Sequence, residues 1–309
     1  MTPSQAPVSV VVLTFNEELN LPVCLESVTG WAARIFVVDS GSTDQTVAIA
    51  RASGAEVITH AFETHARQWQ WALANLPIKT EWILGLDADQ RVGRELAEAI
   101  AALVSSNTPA NGAFVCRRQI FRGRWIRYGG YYPKHLLKLF KRAHVSLDAG
   151  DLVDHHFSVA GATVVLAGDL IEDNCNEAQI AVWTAKHNRY AVLQARQEKA
   201  ATAGSVSLLA LFGQADDRVR VLKRIWAGLP LFVRPCLYVF YRYVIRLGFL
   251  DGKQGFVFHV LQAFWYRLLV DINIDELRLA APQSSRSDVV VVSHTPPSAE
   301  STVRTKHPS

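Results

Sequence analysis

Four short apolar runs, rich in β-branched residues and separated by segments of helical character, constrain this chain more than any other feature. Val8–Leu13, Ile35–Val38, Val57–Ile58 with its flanks, and Trp82–Leu86 read as continuous apolar stretches. Strands covered by helices on both faces look like this, whereas half-exposed strands alternate. Between them, Glu18–Val28, Thr43–Ser53 and His65–Leu76 have the composition of helices. The β-α-β-α-β-α-β alternation predicts an α/β fold with a Rossmann-like, doubly wound, mostly parallel sheet. Ligands bind such sheets beyond the carboxyl ends of the strands. The chemistry is therefore expected just after Leu13, Val38 and Leu86.

Polar residues cluster at those three places. Thr14-Phe15-Asn16-Glu17-Glu18 follows the first run, Asp39-Ser40-Gly41-Ser42-Thr43-Asp44 the second, and Asp87-Ala88-Asp89 the fourth. Two carboxylates at a strand end can share one hard divalent cation, which would neutralise a diphosphate leaving group. Ser42 and Gln45 have the spacing of a capping box, and Asp44 suits a first helical turn. Asp39 has no capping role in that scheme and is free to accept hydrogen bonds from a ribose or a base. From about Asn111 to Leu170 the pattern is irregular and aromatic, Glu177–Ala201 reads as a long helix, and Ala200–Val206 reads as a hinge. Leu208–Leu279 is strongly apolar with interspersed arginines, and Pro282–Ser309, rich in Ser, Pro and Thr, reads as a disordered tail.

The four cysteines are scattered and form no CxxC pair, which argues against a disulfide scaffold or a zinc knuckle and for a reducing compartment. Met1 to Pro7 lacks the basic start of a secretion signal. The net charge of +4 is unevenly placed, for nine Lys or Arg and no Asp or Glu lie between Arg117 and Arg142. Such fields attract phosphorylated substrates, acidic lipid headgroups or nucleic acid, and Arg suits bidentate recognition of phosphates and carboxylates.

Residues 10–18 (Val-Val-Val-Leu-Thr-Phe-Asn-Glu-Glu), 37–44 (Val-Val-Asp-Ser-Gly-Ser-Thr-Asp) and 86–89 (Leu-Asp-Ala-Asp), in this order, resemble the family 2 glycosyltransferases of the GT-A fold. The stretches Gly123–Pro133, Lys186–Ala191, Gly248–Lys253 and Phe264–Arg267 resemble a narrower subgroup, the bacterial lipopolysaccharide-core glucosyltransferases and their relatives. The resemblance covers about residues 8–279. It implies that Thr14, Asn16 and Glu17 line a nucleotide cleft, that Asp39 holds the uracil or ribose end, and that Arg67 lies near the nucleotide. It further implies that Asp87 contacts the ribose or metal and that Asp89 ligates Mg²⁺ or Mn²⁺. Enzymes of this type invert the anomeric centre and need a base for the acceptor hydroxyl. Where the subgroup carries Asp-Glu-His, this chain reads Asp154-His155-His156. Asp154 is the expected base, with Asp151 and Asp148 as substitutes, while His187 is either a helix-face residue or a metal or diphosphate contact.

The expected organisation is a GT-A domain over 1–203, a helical, amphipathic, membrane-contacting region over 204–280, and a tail over 281–309. In the Leu229–Leu250 segment, Arg234, Arg242 and Arg246 interrupt the apolar run. On a helical wheel they oppose Val233, Leu237, Phe240, Val244 and Leu247, the pattern of one interfacial helix with its arginines at the headgroups. The expected partners are a UDP-sugar donor, a glycolipid acceptor and a membrane surface, with no nucleic acid, and the expected location is the cytoplasmic face of the inner membrane. Two rivals are a nucleotidyltransferase, disfavoured by the acidic loop after the first strand, and a non-catalytic sugar-nucleotide-binding protein.

Overall fold

The computed structural model describes residues 5–147, 156–201 and 225–284. Its centre is a sheet with strand order β3-β2-β1-β4-β8-β6-β11-β5, with β7 (Arg124–Trp125) paired to β6 off that path. β1 (Ala6–Thr14), β2 (Ala32–Asp39), β3 (Glu56–Thr59) and β4 (Trp82–Asp87) pair in parallel, as the apolar runs require. Helices α1 (Leu21–Glu26), α2 (Thr46–Ala52) and α3 (His65–Asn75) lie between them in sequence, close to the expected segments. The sheet separates two apolar layers. Val10, Val12, Leu84 and Leu86 face α1 and α4 (Arg94–Val104), and Val11, Leu13 and Ile83 pack with Trp69 of α3. One side chain in two enters each layer, which is the strand period.

The irregular stretch 111–170 is in fact largely strand. β6 (Gly112–Phe121), β8 (His135–Lys141) and β11 (Thr163–Glu172) extend the sheet, β5 (Gln90–Val92) closes it, and β9 (Val145–Leu147) and β10 (Phe157–Val159) form a separate hairpin. Basic residues interrupt the apolar runs of β6 and β8, so a periodicity reading misses them. β8 is antiparallel to β4 and β6, and β11 is parallel to β6. The carboxyl ends of β1, β2, β4, β6 and β11 thus share one edge.

The long helix α5 (Ile180–Ala201) packs along a C-terminal helix, Tyr266–Ser284, through Ala191, Ala195, Tyr266 and Val270. The latter runs past the expected start of the tail; most of the expected hinge and residues 285–309 lie outside the described residues. Leu229–Leu250 is not one helix. It comprises a helix over Arg234–Phe240, a π turn over Tyr241–Ile245, a left-handed Leu247 (φ 59°) and a 3-10 turn over Gly248–Asp251. Nor do Arg234 and Arg242 line an outer face. Arg234 is buried with Asp271, and Arg242 lies 4.0 Å over the Tyr131 ring. Asp251, also buried, accepts the amides of Arg127 (3.2 Å) and Tyr128 (2.9 Å). Gly129 (φ 68°) seats against the His259 imidazole where a Cβ would collide, so this contact requires glycine. Two distant glycine-containing motifs, around 129 and 251, are therefore halves of one contact.

Candidate functional site

The loops after β1 and β2 are tied to each other. Asp39, 1% exposed, accepts hydrogen bonds from Thr14 Oγ1 (3.1 Å) and from the amides of Gly41 and Ser42 (2.9 Å each). Asn16, in the left-handed region at φ 54° that Asn tolerates, accepts the Thr43 amide (2.8 Å), and its own amide donates to Ser42 Oγ (2.8 Å). Ser42 is thereby spent on Asp39 and Asn16 and does not form a capping box. Helix α2 starts later, at Thr46, whose amide donates to Asp44 Oδ1 (3.0 Å). Burial pushes the Asp44 carboxyl up slightly, but the Thr46 hydroxyl and the amides around it hold it below its ordinary value. Asp39 organises the walls of the cleft with both its oxygens.

The acidic pair sits where β4 ends. Asp87 Oδ2 accepts Lys138 Nζ of β8 at 2.9 Å, and the Asp87 amide donates to Gln90 (3.1 Å). Gln90 in turn reaches Glu172 (3.0 Å), which also accepts Arg117 at 3.2 Å. A second layer comes from the segment after β11. Asn174 donates to Asp89 Oδ2 (3.1 Å) and accepts from Asn20 (3.1 Å), Asn20 also donates to Glu17 (2.7 Å), and Asn176 donates to Glu17 (3.0 Å). The Asn20 side-chain oxygen, Oδ1, accepts the Cys175 amide at 2.7 Å. Glu17, Asp87 and Asp89 thus converge, and amides orient them.

The charge in this cleft is unbalanced. Among the described residues Asp87, Glu172 and Glu177 have ion-pair partners in Lys138, Arg117 and Lys186, while Glu17 and Asp89 have none. Burial, then the nearby Glu172 and Asp87 carboxylates, hold Asp89 well above the usual carboxylate range. Burial likewise raises Glu17, against the opposing influence of Asn20.

Residues 9–162, which include Thr14, Glu17, Asp39, Asp87 and Asp89, match the profile of glycosyl transferase family 2. They form a family 2 glycosyltransferase domain. Among similar curated proteins, the lipopolysaccharide core biosynthesis glycosyltransferase LpsC of Rhizobium meliloti is 31% identical over 48% of this chain and 55% of its own. An uncharacterized glycosyltransferase of Rickettsia bellii is 34% identical over 32% of this chain and 33% of its own. The chain spans a third to about half the length of these relatives. A mannosyltransferase, PcManGT from Pyrobaculum calidifontis, solved with GDP-Man and Mn²⁺, is 15% identical over 88% of both chains with a TM-score of 0.46.

The donor set of the family 2 domain fits a divalent cation that takes only part of its shell from protein. Among the described residues no three His, Cys, Asp or Glu side chains form a metal-holding group, so Asp87 and Asp89 would share the ion with diphosphate oxygens and water. An elevated Asp89 beside other carboxylates is the electrostatic situation that such a cation relieves.

Other expected residues fall elsewhere. Arg67 is exposed on the first turn of α3 and pairs with Glu63. His187 stacks on Trp183, its Nδ1 lies 2.9 Å from the Trp183 carbonyl, and burial lowers its pKa; the helix-face reading describes it. Asp148, Asp151, Asp154 and His155 lie outside the described residues. Much of the basic stretch is consumed internally: Arg117 by Glu172, Arg118 by Asp169, Lys138 by Asp87 and Lys141 by Glu81. Those carboxylates are distant in sequence, so the stretch looks freer in one dimension than in three. A cavity of about 450 Å³ lies along the sheet beyond β8, lined by Cys116, Arg118, Tyr132, His135 and Asp169. The residues that sequence reading missed are Asn20, Asn174 and Asn176, whose roles depend on a contact across 154 positions.

Proposed function

We propose that this chain is an inverting hexosyltransferase that moves a sugar from a UDP-sugar to a glycolipid acceptor of the cell envelope, in lipopolysaccharide core or related glycan synthesis. The observation that carries the reading is the unbalanced carboxylate cluster of Asp87, Asp89 and Glu17 at the carboxyl end of β4, inside a family 2 domain. The similarity to a protein named for lipopolysaccharide core biosynthesis supports the acceptor class. Mg²⁺ or Mn²⁺, bound through Asp89 and Asp87, would supply the positive charge that stabilises the departing diphosphate. Thr14, Asn16, Glu17 and Asp39 would shape the nucleotide cleft, with Arg67 at its periphery.

In this reading Asp154 takes the proton of the acceptor hydroxyl. The acceptor oxygen bonds to the anomeric carbon as its bond to the phosphate oxygen breaks, and UDP leaves on the opposite face. The work takes place at the cytoplasmic face of the inner membrane, where a lipid-borne acceptor is available.

The test is incubation of the purified chain with UDP-hexoses, Mn²⁺ and a bacterial lipid extract. The expected result is UDP release and a hexose-bearing lipid of inverted anomeric configuration. Release of hexose 1-phosphate would point to a nucleotidyltransferase, and UDP binding without turnover to a non-catalytic binder. Asp154→Asn is expected to lower turnover by about 10²–10⁴ with UDP binding intact; normal turnover in that variant would move the base to Asp151 or Asp148.

A further inference from the structure

We infer that the outer face of residues 232–256 docks on a lipid bilayer by apolar insertion at the headgroup–acyl boundary, and that its arginines are not the anchor. The inference deepens the reading above and rests on the acceptor being lipid-borne. Eleven of the twenty large hydrophobic side chains that are exposed among the described residues lie between Phe232 and Phe256. Leu237 is 50% exposed, Phe240 56% and Ile245 58%. Soluble surfaces rarely concentrate apolar groups in this way without a partner.

These groups form one surface. Val233, Leu237, Phe240 and Val244 follow the spacing of one helical side. The left-handed Leu247 then turns the chain, so that the Gly248–Asp251 turn and the Gly252–His259 helix fold back. The Tyr243 ring joins the two limbs, with its centroid 6.3 Å from that of Phe249 and 5.8 Å from that of Phe256. Arg234 and Arg242 are meanwhile committed inward, to Asp271 and Glu198 and to Tyr131 and the Gly130 carbonyl. The polarity is the inverse of an arginine-anchored helix, because the cations hold the fold and the apolar side faces out.

Charge selects the occupant. Between Arg218 and Val270 the only acidic residue is Asp251, which is buried and engaged by two amides. The exposed charges beside the patch are Arg246 and Lys253. Lipid phosphates complement that rim, whereas a second copy of the chain would set like charges together. No helix among the described residues is long and apolar enough to cross a membrane, which fits a face that lies in the interface.

The experiment is flotation of the full 309-residue chain with vesicles of zwitterionic phosphatidylcholine. The chain is expected to float, and to keep floating in 0.5 M salt, where the screening length is about 4 Å. Leu237→Gln combined with Phe240→Gln is expected to lower the bound fraction at least about tenfold. Both side chains are half exposed, and unchanged UDP binding would confirm the variant's fold. Arg246→Gln is expected to change binding less than about twofold. Failure to float, a requirement for anionic lipid with loss in salt, or a dimer that the double variant dissociates would each overturn the proposal. A chain that turns over a water-soluble acceptor fragment but does not float would sink the docking face alone. A chain that floats but transfers no sugar would leave the face standing and sink the transfer reading.

Discussion

The strand-end cleft and the C-terminal helical region both remove charge from water, and they settle it differently. Around Asp89 five carboxylates (Glu17, Asp87, Asp89, Glu172, Glu177) gather near three cations (Lys138, Arg117, Lys186), and side-chain amides orient the acids without neutralising them. In the helical region Arg234, 2% exposed, donates to Asp271 Oδ1 at 2.6 Å and to Glu198 at 3.1 Å, so its charge is answered locally. A balanced buried pair is an architectural device that fixes how helices sit. An unbalanced cluster costs folding free energy, and a ligand that completes it recovers that cost. The first arrangement makes a buttress and the second a site.

The comparison is broken most severely at Asp89. Asp89→Asn removes a carboxylate whose pKa burial and the neighbouring Glu172 and Asp87 raise well above the usual range, so transfer should fall at least about 10³-fold while the melting temperature holds or rises. Divalent-dependent UDP release, measured beside a melting curve, checks both halves; activity retained in the variant or in EDTA would contradict the metal role.

Arg234→Met should do the opposite, because it leaves Asp271 buried without its cation. A loss of about 3–5 kcal/mol in urea unfolding is expected. If stability is unchanged, the pair is not the buttress described.

His259 gives a pH handle on the helical region. It is fully buried against Gly129, neither ring nitrogen has a hydrogen-bond partner among the described residues, and burial, then Arg242, lowers its pKa to about 4. A folded-state value below the unfolded one means that its contribution is complete above about pH 6.5 and is lost as pH falls towards 4. Urea midpoints should show about 2 kcal/mol lost between pH 7 and pH 5, and His259→Leu should flatten that part of the profile.

The smallest effect sharpens the cleft. Asn174→Ala removes the donor to Asp89 but no carboxylate, so Mn²⁺ affinity should weaken about tenfold. Turnover at saturating metal should stay near normal. A collapse of turnover with unchanged metal affinity would make Asn174 part of the chemistry instead.

Legibility in the sequence followed the range of the interactions. The four parallel strands, the three helices between them and the acids at the strand ends were all readable, because each depends on a run of a few residues. Strands β6 and β8 were not, since Arg117, Arg118 and Lys138 interrupt the pattern that a buried strand normally shows. Those cations tolerate the sheet because Glu172, Asp169 and Asp87 meet them there. Asp39 was readable as special but not as the residue whose oxygens knit the two loops. The Ser42–Gln45 cap failed because Ser42 had a better partner across the loop, in Asn16.

The sequence by itself determined the α/β alternation, the edge of the sheet where chemistry would sit, and the family to which residues 9–162 belong. These follow from local periodicity and from short motifs that carry their own geometry. Only the tertiary structure decided that Asn174 would orient Asp89, that Asp251 would hold the Arg127–Tyr128 turn, and that Arg234 and Arg242 would point inward and leave the apolar side exposed. A helical wheel records which residues share a side, but it cannot say which side is covered. That depends on where Asp271, Glu198 and Tyr131 arrive from elsewhere in the chain, and a buried charge goes to its partner.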